Sequence, residues 1–146
     1  MSFLLDTNVV SELRKVGSAK ASERVVQWVQ SVDADALYLS VVTVMELKIG
    51  ALQVERRDPV QGEILRTWLD RHVLPQFADR VLSIDLEVAH RCASLHVPDR
   101  RSDRDALIAA TALVHRMIVV TRNTSDFEPT GVPVLDPWTG RSSRKI

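Results

Sequence analysis

Four acidic residues from distant parts of the chain stand at the ends of apolar segments. They are Asp6, Glu46, Asp105 and Asp126. Carboxylates gathered at one place repel one another, by about 4 kcal/mol for two unit charges 4 Å apart at an effective dielectric constant of 20. Such a cluster needs either protonation or a divalent cation. An all-oxygen ligand set favours Mg²⁺ or Mn²⁺ over zinc, and water and substrate phosphate usually complete the Mg²⁺ shell.

Three of the four acids also have a structural explanation when each is taken alone. Glu46 stands three residues after a threonine and Asp105 three residues after a serine, spacings that fit a capping box or its looser variant. Asp126 fits a turn. Asp6 is the exception, because core packing does not explain an acid directly behind a buried apolar strand. The case for the other three therefore depends on whether the fold brings them together.

Short apolar runs alternate along the chain with segments of helical periodicity. These runs and segments are the predicted strands and helices that would position the acids. The runs predicted as strands are 2–5, 37–41, 81–84, 117–121 and 132–135. They are continuously apolar, which is typical of strands covered on both faces of a parallel sheet. Amphipathic helices are predicted around 25–32, 64–73 and 86–93, and a buried helix at 106–114. This order predicts a three-layer α/β/α sandwich with a central, mostly parallel five-stranded sheet.

In an open α/β sheet, ligands bind beyond the carboxyl ends of the strands. Asp6 follows the first predicted strand, Glu46 the second and Asp126 the fourth, so the acids are expected to converge at this edge. Other polar residues near the same strand ends are candidates for contacting substrate phosphate: Thr7, Asn8, Thr121 and Arg122. Helix capping and turn formation explain these four residues at least equally well. The arginines expected either to guide a nucleic acid or to form a solvated face are Arg100, Arg101, Arg104 and Arg122.

Length and composition indicate one ordinary globular domain. The chain has 146 residues and zero formal net charge, which excludes a global positive field that would draw it onto nucleic acid or an anionic membrane. The single cysteine, Cys92, cannot form an intramolecular disulfide. No apolar run approaches the roughly 20 residues of a membrane span, so a cytoplasmic protein is expected. Residues 1–138 are predicted to form the domain, with 54–62 as a loop and 139–146 as a short, basic, frayed tail.

Five stretches of the sequence, taken in their order and spacing, resemble one known family. They are LLDTNVVSEL, YLSVVTVMELKIG, SDRDALIAATALVH, VVTRNTSDF and LDPW. The family is the PIN-domain ribonucleases, specifically the VapC toxins of type II toxin–antitoxin systems and their FitB-like branch. The resemblance covers nearly the whole chain. It implies a PIN-like sandwich and a Mg²⁺-dependent endoribonuclease that cleaves single-stranded or loop RNA.

The resemblance also assigns roles to the acids. Asp6 and Asp105 would be direct metal ligands, with Glu46 completing the shell or accepting a proton from water. The fourth acidic position stays open between Asn123, where several relatives carry the acid, and Asp126 three residues later. Further implications are a homodimer and a small VapB-like antitoxin through which alone the complex would contact DNA.

The sequence lacks the residues that two other α/β phosphoryl-transfer families require. A haloacid-dehalogenase-like phosphatase would need a second aspartate where Asn8 stands, and a receiver-like domain would need a lysine between Lys48 and Lys145, where none occurs. No glycine-rich phosphate loop is present. A non-catalytic interaction module, whose acids would all be helix caps, remains the alternative. The histidines lack metal-ligand spacing, and Cys92, Trp28 and Trp68 are predicted to belong to the core.

Overall fold

The computed structural model describes residues 1–15 and 20–143, and over these residues a six-stranded sheet forms the centre of the fold. The strands are β1 Phe3–Leu5, β2 Leu37–Ser40, β3 Val81–Leu82, β4 Ile118–Val120, β5 Val134–Asp136 and β6 Arg141–Ser142. Their order in the sheet is β3-β2-β1-β4-β5-β6, and the first five are parallel. The predicted parallel five-stranded sheet is therefore confirmed. The sixth strand pairs antiparallel with β5.

Helices cover both faces of this sheet. They are α1 Thr7–Leu13, α2 Glu23–Gln30, α3 Val41–Arg57, α4 Pro59–Trp68, α5 Leu74–Gln76, α6 Leu86–Leu95, α7 Asp103–His115 and α8 Thr124–Phe127. A π-helical turn over Leu69–Val73 joins α4 to α5, and 3₁₀ turns lie at Ala34–Ala36 and Glu128–Thr130. Within the described residues, no helix is long and apolar enough to cross a membrane.

Successive side chains of a strand point to opposite faces of the sheet, and this divides the core into two layers. Leu5 of β1 packs in one hydrophobic cluster with Val9 of α1, whereas Leu4 packs in another with Ile108 of α7. Leu4 and Ile108 are almost fully buried. Because both faces are covered, the strands lack the polar alternation of a half-exposed sheet. The three-layer α/β/α sandwich is confirmed.

The segment 54–62, predicted as a loop, is instead almost wholly helical. Asp58 alone separates α3 from α4, and its carboxylate accepts a hydrogen bond of 3.2 Å from the backbone of the first turn of α4. Pro59 is the first residue of α4, where its missing N–H costs nothing. Gly62 lets the two helices approach closely, since a Cβ there would lie 2.4 Å from Cα of Glu55. The aspartate and proline thus start a helix rather than mark a loop.

The first part of the predicted frayed tail is ordered, because Arg141 and Ser142 form β6. The backbone N–H of Ser143 donates to the carbonyl of Val134 at 3.0 Å, and its hydroxyl accepts from the Val134 N–H at 2.9 Å. Residues 144–146 lie outside the described residues. The sheet therefore continues past residue 138, because a hairpin with Gly140 at φ +76° returns the chain along β5.

Candidate active site

The four predicted acids lie at the carboxyl edge of the parallel sheet. Asp6 directly follows β1 as the N-cap of α1, Glu46 lies on α3 after β2, Asp105 is in the first turn of α7, and Asp126 is on α8 after β4. Burial, followed by the negative charges of Asp6, Asp126 and Glu46, raises the pKa of Asp105 to about 6. The fold has thus brought four sequence-distant carboxylates within electrostatic reach of one another.

Asp6 is held in place by donors from two elements. Its Oδ2 accepts a hydrogen bond of 2.7 Å from the Thr121 hydroxyl and a longer one of 3.4 Å from the Asn8 amide, while its Oδ1 accepts from the Thr7 N–H at 2.8 Å. The side chain is buried, at 6% exposure. Burial raises the pKa of Asp6, the bonds from Thr121 and Thr7 oppose the rise, and two nearby carboxylates add to it. Four predicted site residues therefore form one network.

Glu46 does not belong to a capping box. Ser40 is the N-cap of α3, so Thr43 lies inside the helix, and its buried hydroxyl has no hydrogen-bond partner among the described residues. Instead, Oε1 of Glu46 accepts a hydrogen bond of 2.9 Å from the Thr7 hydroxyl, and Oε2 lies 3.6 Å from Nη1 of Arg104. The capping explanation is wrong for this residue, and its contacts connect it to Asp6 and to α7.

Asp105 is not used as a cap either. Ser102 is the N-cap of α7, but its side chain makes no capping hydrogen bond. The half-buried Asp105 carboxylate makes no hydrogen bond or ion pair with any of the described residues. The charges that raise the pKa of Asp105 all come from acids, and a carboxylate with unused lone pairs in such surroundings favours a cation as its partner.

The two candidates for the fourth acidic position differ in what they contribute. Asp126 is exposed on α8, yet its charge raises the pKa values of both Asp6 and Asp105. Asn123 carries no charge, and its backbone N–H donates to the Thr121 hydroxyl at 3.0 Å. Asp126 therefore adds charge to the cluster, whereas Asn123 supports the threonine that orients Asp6.

Two of the four predicted arginines flank the acids. Arg104 pairs with Glu46, as described above, and the backbone N–H of Arg122 donates to Oδ1 of Asn8 at 3.3 Å. Arg100 instead pairs with Asp103 at 3.2 Å. Arg101 also lies elsewhere, because its side chain donates to two backbone carbonyls at 2.8 and 3.3 Å. These two arginines stabilise the segment before α7 rather than reach the site.

One residue beside the site, Trp138, was not predicted from the sequence. The guanidinium carbon of Arg122 lies 5.0 Å from the ring centroid of Trp138. Trp138 belongs to the closing LDPW stretch, which was noted only for its family resemblance. Trp138 follows the last parallel strand by two residues, and this position is the signal that could have placed it at the carboxyl edge of the sheet.

The other residues predicted to belong to the core are found there. Cys92 is buried, and Trp28 packs edge-on against Phe3 with ring centroids 5.1 Å apart. Trp68 packs against the same core cluster as Trp28 and also lines a groove of about 280 Å³ together with Thr7 and Glu46. Of the four acids, Glu46 therefore borders a groove next to α3 and α4.

The carboxylates do not form a ready-made metal cage. Among the described residues, no three His, Cys, Asp or Glu side chains stand close enough to hold one metal ion together. Mg²⁺ does not require such a cage, since one or two carboxylates with water and substrate phosphate usually bind it. The donor set at this edge consists of carboxylates without thiolate or imidazole, which suits a hard divalent cation.

Comparisons with known proteins agree with this architecture. The PIN domain family model matches residues 3–131. The chain is 38% identical to the VapC ribonuclease Y4jK of Sinorhizobium fredii, over 92% of this chain and 96% of that protein. It is 37% identical to toxin FitB of Neisseria gonorrhoeae, over 92% and 97%.

A solved structure extends the likeness to three dimensions. A chain from the structure of FitAB bound to an IR36 DNA fragment superposes with a TM-score of 0.83 at 35% identity, covering 93% of this chain and 95% of that one. Sequence and structure thus match over nearly the full length of both. The chain therefore belongs to the PIN-domain family and, within it, to the VapC and FitB toxins.

Proposed function

We propose that this protein is a divalent-cation-dependent endoribonuclease and the toxin of a VapBC-like type II toxin–antitoxin pair. The observation that carries the proposal is the convergence of Asp6, Glu46, Asp105 and Asp126 at one sheet edge, with the pKa of Asp105 raised to about 6. The cap that Asp6 provides for α1 and the pairing of Glu46 with Arg104 leave Asp105 and Asp126 unexplained, so caps and ion pairs do not account for the arrangement as a whole. The name of the VapC ribonuclease relative supports RNA as the substrate.

Asp6 and Asp105 are the proposed ligands of Mg²⁺, for which Mn²⁺ would be a substitute. Oδ1 of Asp6 accepts one hydrogen bond and so keeps a free lone pair, and Asp105 keeps all of its own. When bound, such an ion polarises the scissile phosphate and lowers the pKa of an attacking water. Asp126 would strengthen the negative field from the rim of the site.

The chain's own residues would supply orientation and proton transfer. Thr121, Asn8 and the Thr7 N–H fix the Asp6 carboxylate, so little reorganisation is needed when substrate arrives. The Thr7 hydroxyl positions Glu46, the proposed acceptor of the proton from the attacking water, a role that requires hydrogen-bond reach.

The proposed partners follow from the relatives. The FitAB structure was determined on a DNA fragment, whereas the neutral net charge of this chain offers no general attraction to DNA. We therefore assign DNA binding to a small VapB-like antitoxin, with the toxin itself as a homodimer. Co-expression with the neighbouring gene should relieve growth arrest, and sequencing of cleaved RNA ends from cells expressing the toxin alone should identify the target.

The activity is tested by incubating the purified protein with total cellular RNA, in Mg²⁺ or in excess EDTA. Cleavage is expected only with Mg²⁺. Asp35→Asn is a matched control, because Asp35 is exposed in a 3₁₀ turn at the opposite edge of the sheet, and this variant should cleave like the wild type. Equal cleavage in EDTA would refute the cation requirement, and absence of cleavage under both conditions would favour the interaction module.

A further inference from the structure

Among the residues that the structure describes, two arginines stack on aromatic rings, and their surroundings differ. Arg80 lies 5.1 Å from the ring centroid of Phe77, and its guanidinium also donates to the carbonyls of Ala34, Leu37 and Gln76 at 2.7, 2.9 and 2.5 Å. Both terminal nitrogens are therefore used inside the protein. This arginine joins three backbone segments and has a structural role.

The Arg122 guanidinium is stacked at a similar distance, 5.0 Å from the Trp138 ring, but it makes no hydrogen bond or ion pair with the described residues. Its side chain is exposed. A guanidinium has five N–H donors in one plane, and stacking through its face leaves these edge donors available. Arg122 is thus oriented by the protein while its donors remain unused.

The ring beneath Arg122 is itself fixed. The backbone N–H of Trp138 donates at 2.8 Å to Oδ1 of Asp136, a buried residue at the end of β5. The half-buried indole packs against the core cluster that contains Leu5 and Leu135. The turn is closed by the Gly140 N–H, which donates to the Asp136 carbonyl at 2.8 Å. Trp138 is therefore an anchored platform rather than a mobile surface ring.

The location of Arg122 relates this platform to the acids. Arg122 directly follows Thr121, whose hydroxyl binds Asp6, and its own N–H donates to Asn8. Its positive charge is not among the causes that shift the pKa of Asp6 or Asp105. The backbone of Arg122 is therefore anchored next to the Asp6 network, while its guanidinium does not shift the pKa values of Asp6 and Asp105, a placement suited to a substrate phosphate beyond the reacting one.

We propose that Trp138 is a positioning residue that holds the Arg122 guanidinium at the mouth of the site, where it binds a backbone phosphate of RNA next to the scissile phosphodiester. This inference rests on the proposed ribonuclease function. The contact is to phosphate, so it adds affinity without reading base sequence. A stacked guanidinium loses less side-chain freedom on binding than a freely rotating one, which is the advantage of the platform.

The test measures binding of a 12-nucleotide single-stranded RNA by fluorescence anisotropy in EDTA over a series of salt concentrations. Arg122→Ala should weaken binding about tenfold and reduce the slope of log K against log salt by about 0.7, the value for one phosphate on a single strand. Arg122→Lys should keep the slope but not the full affinity, because lysine lacks the planar fork. Arg91→Ala, a change at an exposed arginine on α6, should leave both unchanged.

The role of Trp138 is tested separately. Trp138→Leu should weaken binding about threefold to tenfold, whereas Trp138→Phe, which keeps an aromatic face and guards against misfolding, should recover most of the loss. The double variant Arg122→Ala/Trp138→Leu should bind no more weakly than Arg122→Ala, because the ring acts only through the arginine. In cleavage assays with Mg²⁺, these variants should raise KM and change kcat by less than about threefold.

The outcomes separate this inference from the proposed function. If the wild type binds and cleaves RNA while Arg122→Ala keeps the wild-type affinity and salt slope, the phosphate contact is refuted and the ribonuclease function stands. Additive losses in the double variant would refute the positioning role of Trp138. If the wild type neither binds nor cleaves RNA, both the function and the inference are refuted.

Discussion

The two edges of the parallel sheet use charged side chains in opposite ways. At the amino edge, before β2 and β3, the Arg80 guanidinium donates to three carbonyls from both terminal nitrogens and stacks on the Phe77 ring. At the carboxyl edge, Asp105 has no partner among the described residues and the Arg122 guanidinium has only the face of an indole.

This difference indicates that charged residues at the amino edge contribute to stability, whereas those at the carboxyl edge contribute to function. A charge whose hydrogen bonds are satisfied inside the protein contributes to folding, whereas an unpaired one is costly unless a ligand completes it. The carboxyl edge is also where an open α/β sheet offers its crevice. Substitutions at the two edges should therefore have separable effects, on unfolding at one and on chemistry at the other.

The largest expected effect is on catalysis at the carboxyl edge. Asp6→Asn and Asp105→Asn should each lower the rate of RNA cleavage by on the order of 10² to 10³-fold or more, because each removes a charge that the cation requires. Circular dichroism should show that both variants stay folded. Cleavage within tenfold of the wild type in either variant would contradict the proposed site.

The amino edge should show the reverse pattern. Arg80→Ala removes three charge-assisted hydrogen bonds and should lower the free energy of unfolding by about 2 to 4 kcal/mol, measured by urea denaturation, while the folded fraction keeps its cleavage rate. Arg122→Ala, the matched change at the other edge, should lower it by less than about 0.5 kcal/mol. Similar losses of stability in both variants would remove the contrast between the edges.

Cation binding should stabilise the fold. At a Mg²⁺ concentration 100 times its Kd, mass action adds about 2.7 kcal/mol to the free energy of unfolding, visible as a rise in Tm. The rise should be absent in Asp6→Asn and intact in Asp35→Asn. An unchanged Tm of the wild type over millimolar Mg²⁺ would instead support an interaction module without a cation site.

A smaller effect should appear in the pH dependence of stability without metal. The pKa of Asp105 is raised to about 6 in the folded protein, against about 3.9 in an unfolded chain. Between these values the folded state binds more protons, so the free energy of unfolding falls as the pH rises through this window and stays lower above it.

Asp105→Asn removes this charge and should therefore stabilise the protein at pH 7.5 by about 1 to 2 kcal/mol, a value reduced for the solvent screening of a half-exposed group. The gain should disappear near pH 4. Urea denaturation in EDTA at both pH values measures it, and a variant less stable than the wild type at pH 7.5 would show that the Asp105 charge does not destabilise the metal-free fold.

Much of this arrangement was predictable because strand ends leave strong local signals. The apolar run before Asp6 marks both a strand and its carboxyl end, and the same rule places Glu46 and Asp126 after their strands. The parallel sheet follows from continuous rather than alternating apolar runs. Local pattern and global topology agree at these positions.

What sequence could not supply depends on contacts between distant segments. The capping explanation for Glu46 failed because Ser40 starts the helix one turn earlier, and only the fold shows that Thr7 binds Glu46 across 39 positions. Ile64 and Leu86 stand at the apolar positions of their predicted helices but are 50% and 72% exposed. Helical periodicity shows which side chains share a helix face, but it does not show whether another element covers that face. Likewise, the stacking of Arg122 on Trp138 depends on the turn after β5.

The most direct measurement is anomalous scattering from crystals grown with Mn²⁺, compared between the wild type and Asp105→Asn. A peak is expected within coordinating distance of the Asp6 and Asp105 carboxylates in the wild type, and it should be lost in the variant. A wild-type crystal in which these two carboxylates point apart, with no peak between them, would refute the cation site.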